Sequence, residues 1–182
     1  QEFHGVSLLD IYTFKEDPPI SHLPKDLFPE GVPIVANFEN QFKKKGMFFQ
    51  SLLVDTSLYI PSLYEKAKAK GVQFTQITFH KKEDLGQLEE KILFNCTGLG
   101  SRELFNDFNL IPVNGQLIEL KLQDGLNYML AGPKKDKIDL YLIPIHDKMI
   151  LGGSYEFNVE EHQANLTICQ EILKHAREFF SR

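Results

Sequence analysis

Apolar and polar positions follow two rhythms along this chain, and the change falls near Pro112. Residues 5–14 (GVSLLDIYTF) read as a strand carrying Leu8, Leu9, Ile11 and Tyr12. A connection with Pro18, Pro19, Pro24, Pro29 and Pro33 follows, too rich in breakers for a helix or a central strand. Residues 33–37 read as a short strand, and residues 46–53 form another apolar run. Residues 56–70 are the first clear helix. Thr56 or Ser57 can cap it, Pro61 falls within its first turn or so, and Gly71 ends it. Leu58, Leu63, Tyr64 and Ala67 keep one face apolar. Residues 72–79 alternate as a strand, residues 80–90 are a charged connection, and residues 92–96 are the next strand. Strand, helix and strand joined by crossovers is the pattern of an α/β sheet.

After Pro112, strands follow one another without helices: residues 115–122, 127–131, 138–143 and 148–155. Turns are expected at residues 123–125, at Gly132-Pro133 and at His146-Asp147, which makes an antiparallel meander. Residues 159–180 carry the strongest helical pattern, with Ile168, Ile172, Leu173, Ala176 and Phe179 on one stripe. Asn158 can cap this helix, with Glu161 as its capping-box partner. The fold class is therefore α+β, or a piece of two interleaved domains.

Composition narrows the function classes. The chain has 182 residues, enough for a proper core, and a net charge of −5 with no basic stripe for nucleic acid. The lysines at 43–45 read as a solvated loop. No run approaches the ~18 apolar residues of a membrane span. The opening residues lack the pattern of a secretory signal, and the ending FFSR is not a peroxisomal address, so a cytoplasmic location is expected. Cys96 and Cys169 lack metal-ligand spacing and read as two buried thiols. The six histidines do not pair at ligand spacing, so no metal is expected. Asn95-Cys96-Thr97 and Asn165-Leu166-Thr167 fit the glycosylation pattern and are read as chance matches. P-loop, zincin, G-x-S-x-G, CxxC and complete G-x-G-x-x-G motifs are all absent.

The most informative stretch is residues 91–122. The apolar run Ile92-Leu93-Phe94 ends in Asn95-Cys96-Thr97, and the turn Gly98-Leu99-Gly100-Ser101 opens a helix-like segment. Backbone N–H groups at such a turn can face an anion or a polar cofactor edge. Pro112-Val113-Asn114-Gly115-Gln116 then leads into the strand LIELKL. In this order and at this distance, the two units resemble the D-amino-acid oxidase family of flavoenzymes. Gly46-Met47-Phe48-Phe49, Gly71-Val72-Gln73-Phe74, Tyr141-Leu142-Ile143-Pro144 and Ile150-Leu151-Gly152-Gly153 extend the resemblance over most of residues 5–180.

The resemblance implies an internal fragment of a FAD-binding α/β domain interleaved with a mixed or antiparallel substrate-binding sheet. It lacks the N-terminal glycine fingerprint and the C-terminal arginine that clamps the substrate carboxylate. Residues 1–45 would then be a connection and strands of the substrate sheet, and residues 46–111 part of the FAD domain. Residues 112–158 would be the substrate-domain sheet, and 159–182 a helix packed on it. Phe79, Cys96, Thr97, Gly98 and Gly100 match cofactor-binding positions, mainly through backbone groups. Tyr141 matches the tyrosine whose hydroxyl contacts the substrate carboxylate, and Leu130 and Ile143 match substrate-cavity positions. Where the family commonly has arginine before Gly-Gln, this chain has Asn114, and nothing in residues 132–139 matches the lid tyrosine of the animal oxidases.

The implied activity is oxidation of a D-amino acid by hydride transfer from the α-carbon to flavin, giving an imine and then a 2-oxo acid. The alternatives are a glycine/sarcosine-type oxidase, a quinone-linked dehydrogenase, or a non-catalytic interaction domain without cofactor. Partners would be a small amino acid or amine, without nucleic acid or membrane, and a homodimer could form through exposed apolar surface. FAD is expected in the full-length protein and not in this fragment, which alone is expected to be inactive.

Overall fold

The computed structural model describes residues 4–15, 31–38, 42–160 and 163–180. Most of the proline-rich connection, and Glu161, lie outside them. Strand β1 (Val6–Thr13) pairs antiparallel with β3 (Phe42–Val54), and β3 pairs antiparallel with β2 (Val32–Phe38). On its other side β1 runs parallel to β6 (Met129–Lys135). From β6 the sheet continues antiparallel through β7 (Ile138–Ile145) and β8 (Lys148–Ser154) to β5 (Leu117–Lys121). The order is β2-β3-β1-β6-β7-β8-β5. A separate two-stranded ladder joins β4 (Val113–Asn114) to β9 (Glu156–Phe157).

One sheet thus takes strands from both sides of Pro112, and residue 46 falls inside β3. The lysines at 43–45 are strand residues of β3, opposite Asn37, Ala36 and Val35, rather than a loop. Strand alternation turns Lys44 to one side, where its Nζ lies 4.5 Å from the Phe179 ring centroid.

The core lies between the sheet and α3 (Leu166–Phe180). Ile138, Leu140 and Leu142 alternate onto this face of β7 and meet Leu130, Met149, Leu151, Ile172, Ala176 and Phe179. Met149 and Ile172 are 0% exposed. Burying each such side chain stabilises the fold by roughly 1.5–3 kcal/mol.

Several local expectations are corrected by nonlocal pairing. Helix α3 begins at Leu166, not near residue 159. Glu156-Phe157 is held in the β4–β9 ladder, and Asn158 takes φ +61° and donates its N–H to the Pro112 carbonyl at 2.8 Å. The cap of α3 is Asn165, whose side-chain oxygen accepts from the Ile168 N–H at 3.3 Å. Helix α1 (Thr56–Ala69) is capped by Asp55, not Thr56 or Ser57; its carboxylate accepts from the Ser57 N–H at 3.0 Å. Gly132-Pro133 is a bulge inside β6, where proline owes the ladder no hydrogen bond, and the turn falls at Asp136, φ +52°.

Residues 72–79 and 92–96 are not strands. No ladder forms at either among the described residues, and Val72, Phe74, Ile77, Ile92 and Leu93 stay exposed, with Phe94 at 87%. An apolar or alternating pattern supplies side chains for a strand but not the partner that satisfies its backbone. Helix α1 buries no residue. Between these segments the charged connection forms one 3₁₀ stretch, Lys82–Gln87, and the Asp84 carboxylate accepts from the backbone N–H groups of His80 and Lys81 at 2.8 and 3.1 Å. The result is a mixed α/β chain with a mostly antiparallel sheet, in which β1 and β6 pair in parallel.

Candidate functional site

The glycine turn forms as a self-satisfied polar knot. Asn95 donates through Nδ2 to the Ser101 hydroxyl at 2.7 Å, and its Oδ1 accepts from the Thr97 N–H at 3.1 Å and hydroxyl at 2.8 Å. Thr97 and Ser101 hydroxyls lie 2.6 Å apart. Their mutual bonding commits the three side chains, and the Gly100 and Ser101 N–H groups donate to the Thr97 and Gly98 carbonyls, both at 3.0 Å. Gly98 has φ +56°, and a Cβ there would meet nothing within 4 Å. Its glycine serves the left-handed backbone and leaves that edge open. At Gly100, where α2 (Gly100–Phe105) begins, an added Cβ would reach only Thr97, at 3.6 Å. Cys96 is exposed and Cys169 half-buried, so they are not two buried thiols; Cys96 belongs to the segment that lacks a strand partner. Room and backbone at Cys96–Gly100 fit one edge of a flat polar cofactor such as FAD. They form an edge and not a full cradle.

Tyr141 lies on the other face of β7 from Leu140 and Leu142. Its ring crosses the backbone of β8 at Gly152-Gly153. A Cβ at Gly152 would fall within the ring; one at Gly153 would come 2.8 Å from the hydroxyl and 3.2 Å from the Gln116 carbonyl. The paired glycines are thus the floor on which the tyrosine rests. Its hydroxyl has no hydrogen-bond partner among the described residues. Burial, and then the nearby Asp139 carboxylate, push its pKa above the ordinary value, so at neutral pH it remains a proton donor. Ile143 shares this face and stands opposite Ile150. Leu130 pairs with Leu142 on the α3 face, 4% exposed, so the sheet separates it from Tyr141 and Ile143.

The segment Pro112–Gln116 lies between the two places. The Gln116 N–H donates to the Ser154 hydroxyl at 3.0 Å, and its carbonyl accepts the Ser154 N–H at 2.9 Å. The Gln116 side chain donates to Asn114 Oδ1 at 3.0 Å and accepts from the Asn165 N–H at 3.2 Å, stapling the entry of β5 to the start of α3. On the other side, Pro112–Gly115, Leu99 at the start of α2 and Arg102 within it line a cleft of about 410 Å³. Arg102 Nη1 reaches Glu160 Oε1 at 3.3 Å across it. Gln116 was not singled out from sequence; the one signal was its place in the Asn-Gly-Gln unit. Phe79 is half-buried at the end of its unpaired segment, apart from this cleft lining. No group of three His, Cys, Asp or Glu that could hold a metal occurs among the described residues, and no helix is long and apolar enough to cross a membrane.

The chain belongs to the FAD-dependent oxidoreductase family, whose profile matches residues 14–182. It is 30% identical over 166 residues to a D-amino acid oxidase of Dugesia ryukyuensis, covering 85% of this chain and 46% of that protein. It is 32% identical over 161 residues to a D-amino-acid oxidase of Dictyostelium discoideum, covering 83% and 44%. Against a D-aspartate oxidase of Homo sapiens it is 33% identical over 98 residues, covering 48% and 28%. The chain spans less than half the length of these relatives.

Proposed function

We propose that the full protein oxidises a D-amino acid at its α-carbon, releasing an imine that water converts to a 2-oxo acid and ammonia. The observation that carries this is the Tyr141 hydroxyl: protonated, uncommitted, and held over Gly152-Gly153. A donor so fixed can take one oxygen of a substrate carboxylate, and positioning of this kind is the protein's main contribution when a cofactor carries the redox step. FAD, when bound, supplies the acceptor for the hydride. Cys96, Thr97, Gly98 and Gly100 would hold one edge of it through backbone groups, with Phe79 on the adenine side. Ile143 and Ile150 give the substrate an apolar wall, and Leu130 supports that wall from behind.

In this reading residues 56–111 belong to the flavin domain, and residues 72–79 and 92–96 pair with strands from further chain. The seven-stranded sheet belongs to the substrate domain. The 182-residue chain alone then holds FAD weakly, because the phosphate-binding turn is not in its sequence. The test is an anaerobic visible spectrum of the full-length protein before and after D-amino acids. Flavin absorbance that bleaches with one of them supports the reading and names the substrate. A flavin that responds only to glycine or sarcosine moves the substrate class, and a protein without flavin sinks the oxidoreductase reading.

A further inference from the structure

The face that carries Tyr141 changes character along β7. Toward Ile145 it is apolar, with Ile143 opposite Ile150. Toward the Asp136 turn it is charged. Asp139 precedes Tyr141 by two residues, where β7 shifts register against β8, and its carboxylate is near enough to push the Tyr141 pKa up. Lys15 follows the end of β1 and reaches across β6 to place its Nζ 2.6 Å from Asp139 Oδ1. The two side chains are only 23% and 36% exposed, so water screens the pair less than it would a surface contact. Ion pair, tyrosine and apolar wall therefore stand in a row along β7.

We propose that the Lys15–Asp139 pair determines specificity at the Tyr141 site and restricts it to amino acids with uncharged side chains. The assignment rests on Tyr141 as the carboxylate contact. With the carboxylate at Tyr141, a side chain directed toward the hairpin meets this pair. An acidic side chain meets the Asp139 carboxylate, the Lys15 ammonium that could have received it is already neutralised, and Lys134, opposite Asp139, lies over the Tyr155 ring with its Nζ 4.5 Å from the centroid. A basic side chain must displace Lys15 from Asp139. An uncharged side chain disturbs neither ion.

The test uses the full-length, flavin-loaded protein and the kcat/KM for anaerobic flavin reduction by D-alanine, D-aspartate and D-lysine. The parent should favour D-alanine. Asp139→Asn frees the Lys15 ammonium and should raise the D-aspartate to D-alanine ratio by about tenfold or more. Lys15→Met leaves Asp139 unpaired and should raise the D-lysine to D-alanine ratio by a similar factor. These opposite shifts are not produced by a pair that merely braces the sheet, which would lower all three substrates together. Ratios that stay put in both variants overturn the assignment, as does a parent that prefers D-aspartate. If one variant loses its flavin, the other decides. A parent flavin that no amino acid reduces would overturn the oxidoreductase reading and this assignment with it, whereas reduction with unmoved ratios overturns this assignment alone.

Discussion

Two regions of this molecule carry apolar patterns and use them differently. The sheet and α3 bury theirs in a shared core, with Leu140, Met149 and Ile172 almost wholly enclosed. Residues 56–99 bury almost none. Helix α1 has its stripe, and Tyr64 meets Phe74, ring centroids 4.3 Å apart, and the Lys68 ammonium, 5.3 Å from its ring, while Ile92 and Phe94 face water. A periodic pattern states which face of an element wants burial. It does not state whether a partner is at hand, and the stability of the element depends on that partner.

The contrast is sharpest in paired truncations. Ile172→Ala opens a cavity where α3 meets the sheet and should destabilise the chain by about 2–5 kcal/mol. Phe94→Ala removes a larger side chain that touches little and should change stability by no more than about 0.5 kcal/mol. Denaturant titration of both variants measures the difference. A comparable loss at Phe94 would show that residues 92–96 are packed after all.

The next effect lies inside the packed region. Gly152→Ala puts a methyl group where the Tyr141 ring rests and should cost about 1–3 kcal/mol through displaced ring or strand. Tyr141→Ala removes the obstacle, so the double variant should recover most of that cost. Simple additivity of the two losses in a double-mutant cycle would mean the ring does not lie on Gly152.

How far the sequence could be read follows the same division. The hairpin of β7 and β8 was legible, because both partners are adjacent in the chain and His146 makes the tight turn, φ +53°. The parallel pairing of β1 with β6 was not, because no local pattern records a neighbour more than a hundred residues away. Asn158 and Glu161 make a persuasive capping box, yet Val113 captures Phe157 into a ladder and moves the helix start to Leu166. The strand that carries Tyr141 was visible through its motif. Gln116 was not, because its work lies in hydrogen bonds to Ser154 and Asn165, which only the fold brings within reach. If Asn165 is the true cap, Asn165→Ala should cost about 1 kcal/mol and lower the helical signal in far-ultraviolet circular dichroism. An unchanged signal would return the helix start to the earlier residues.

The smallest effects separate the two regions by pH. His175, on α3, is buried with Nδ1 lacking a hydrogen-bond partner among the described residues. Burial first, then Lys135, lower its pKa below the ordinary 6.5, against an opposing pull from Glu178. A base with a lowered native pKa binds its proton more readily in the unfolded chain, so stability falls as pH drops through 6.5 and levels off below the native pKa. Asp55, capping α1, behaves oppositely in position. Its hydrogen bonds from Ser57 lower its pKa from the ordinary 3.8, so its contribution is complete above that value and is lost as pH falls through the native pKa. Between these windows, acid should loosen the packing of α3 while the cap of α1 stays intact. Denaturation midpoints of the parent and of His175→Gln, compared from pH 7.5 to 4.5, measure the histidine's part. The parent should lose stability more steeply than the variant just below pH 6.5, and identical slopes would mean that His175 is hydrated in the folded chain.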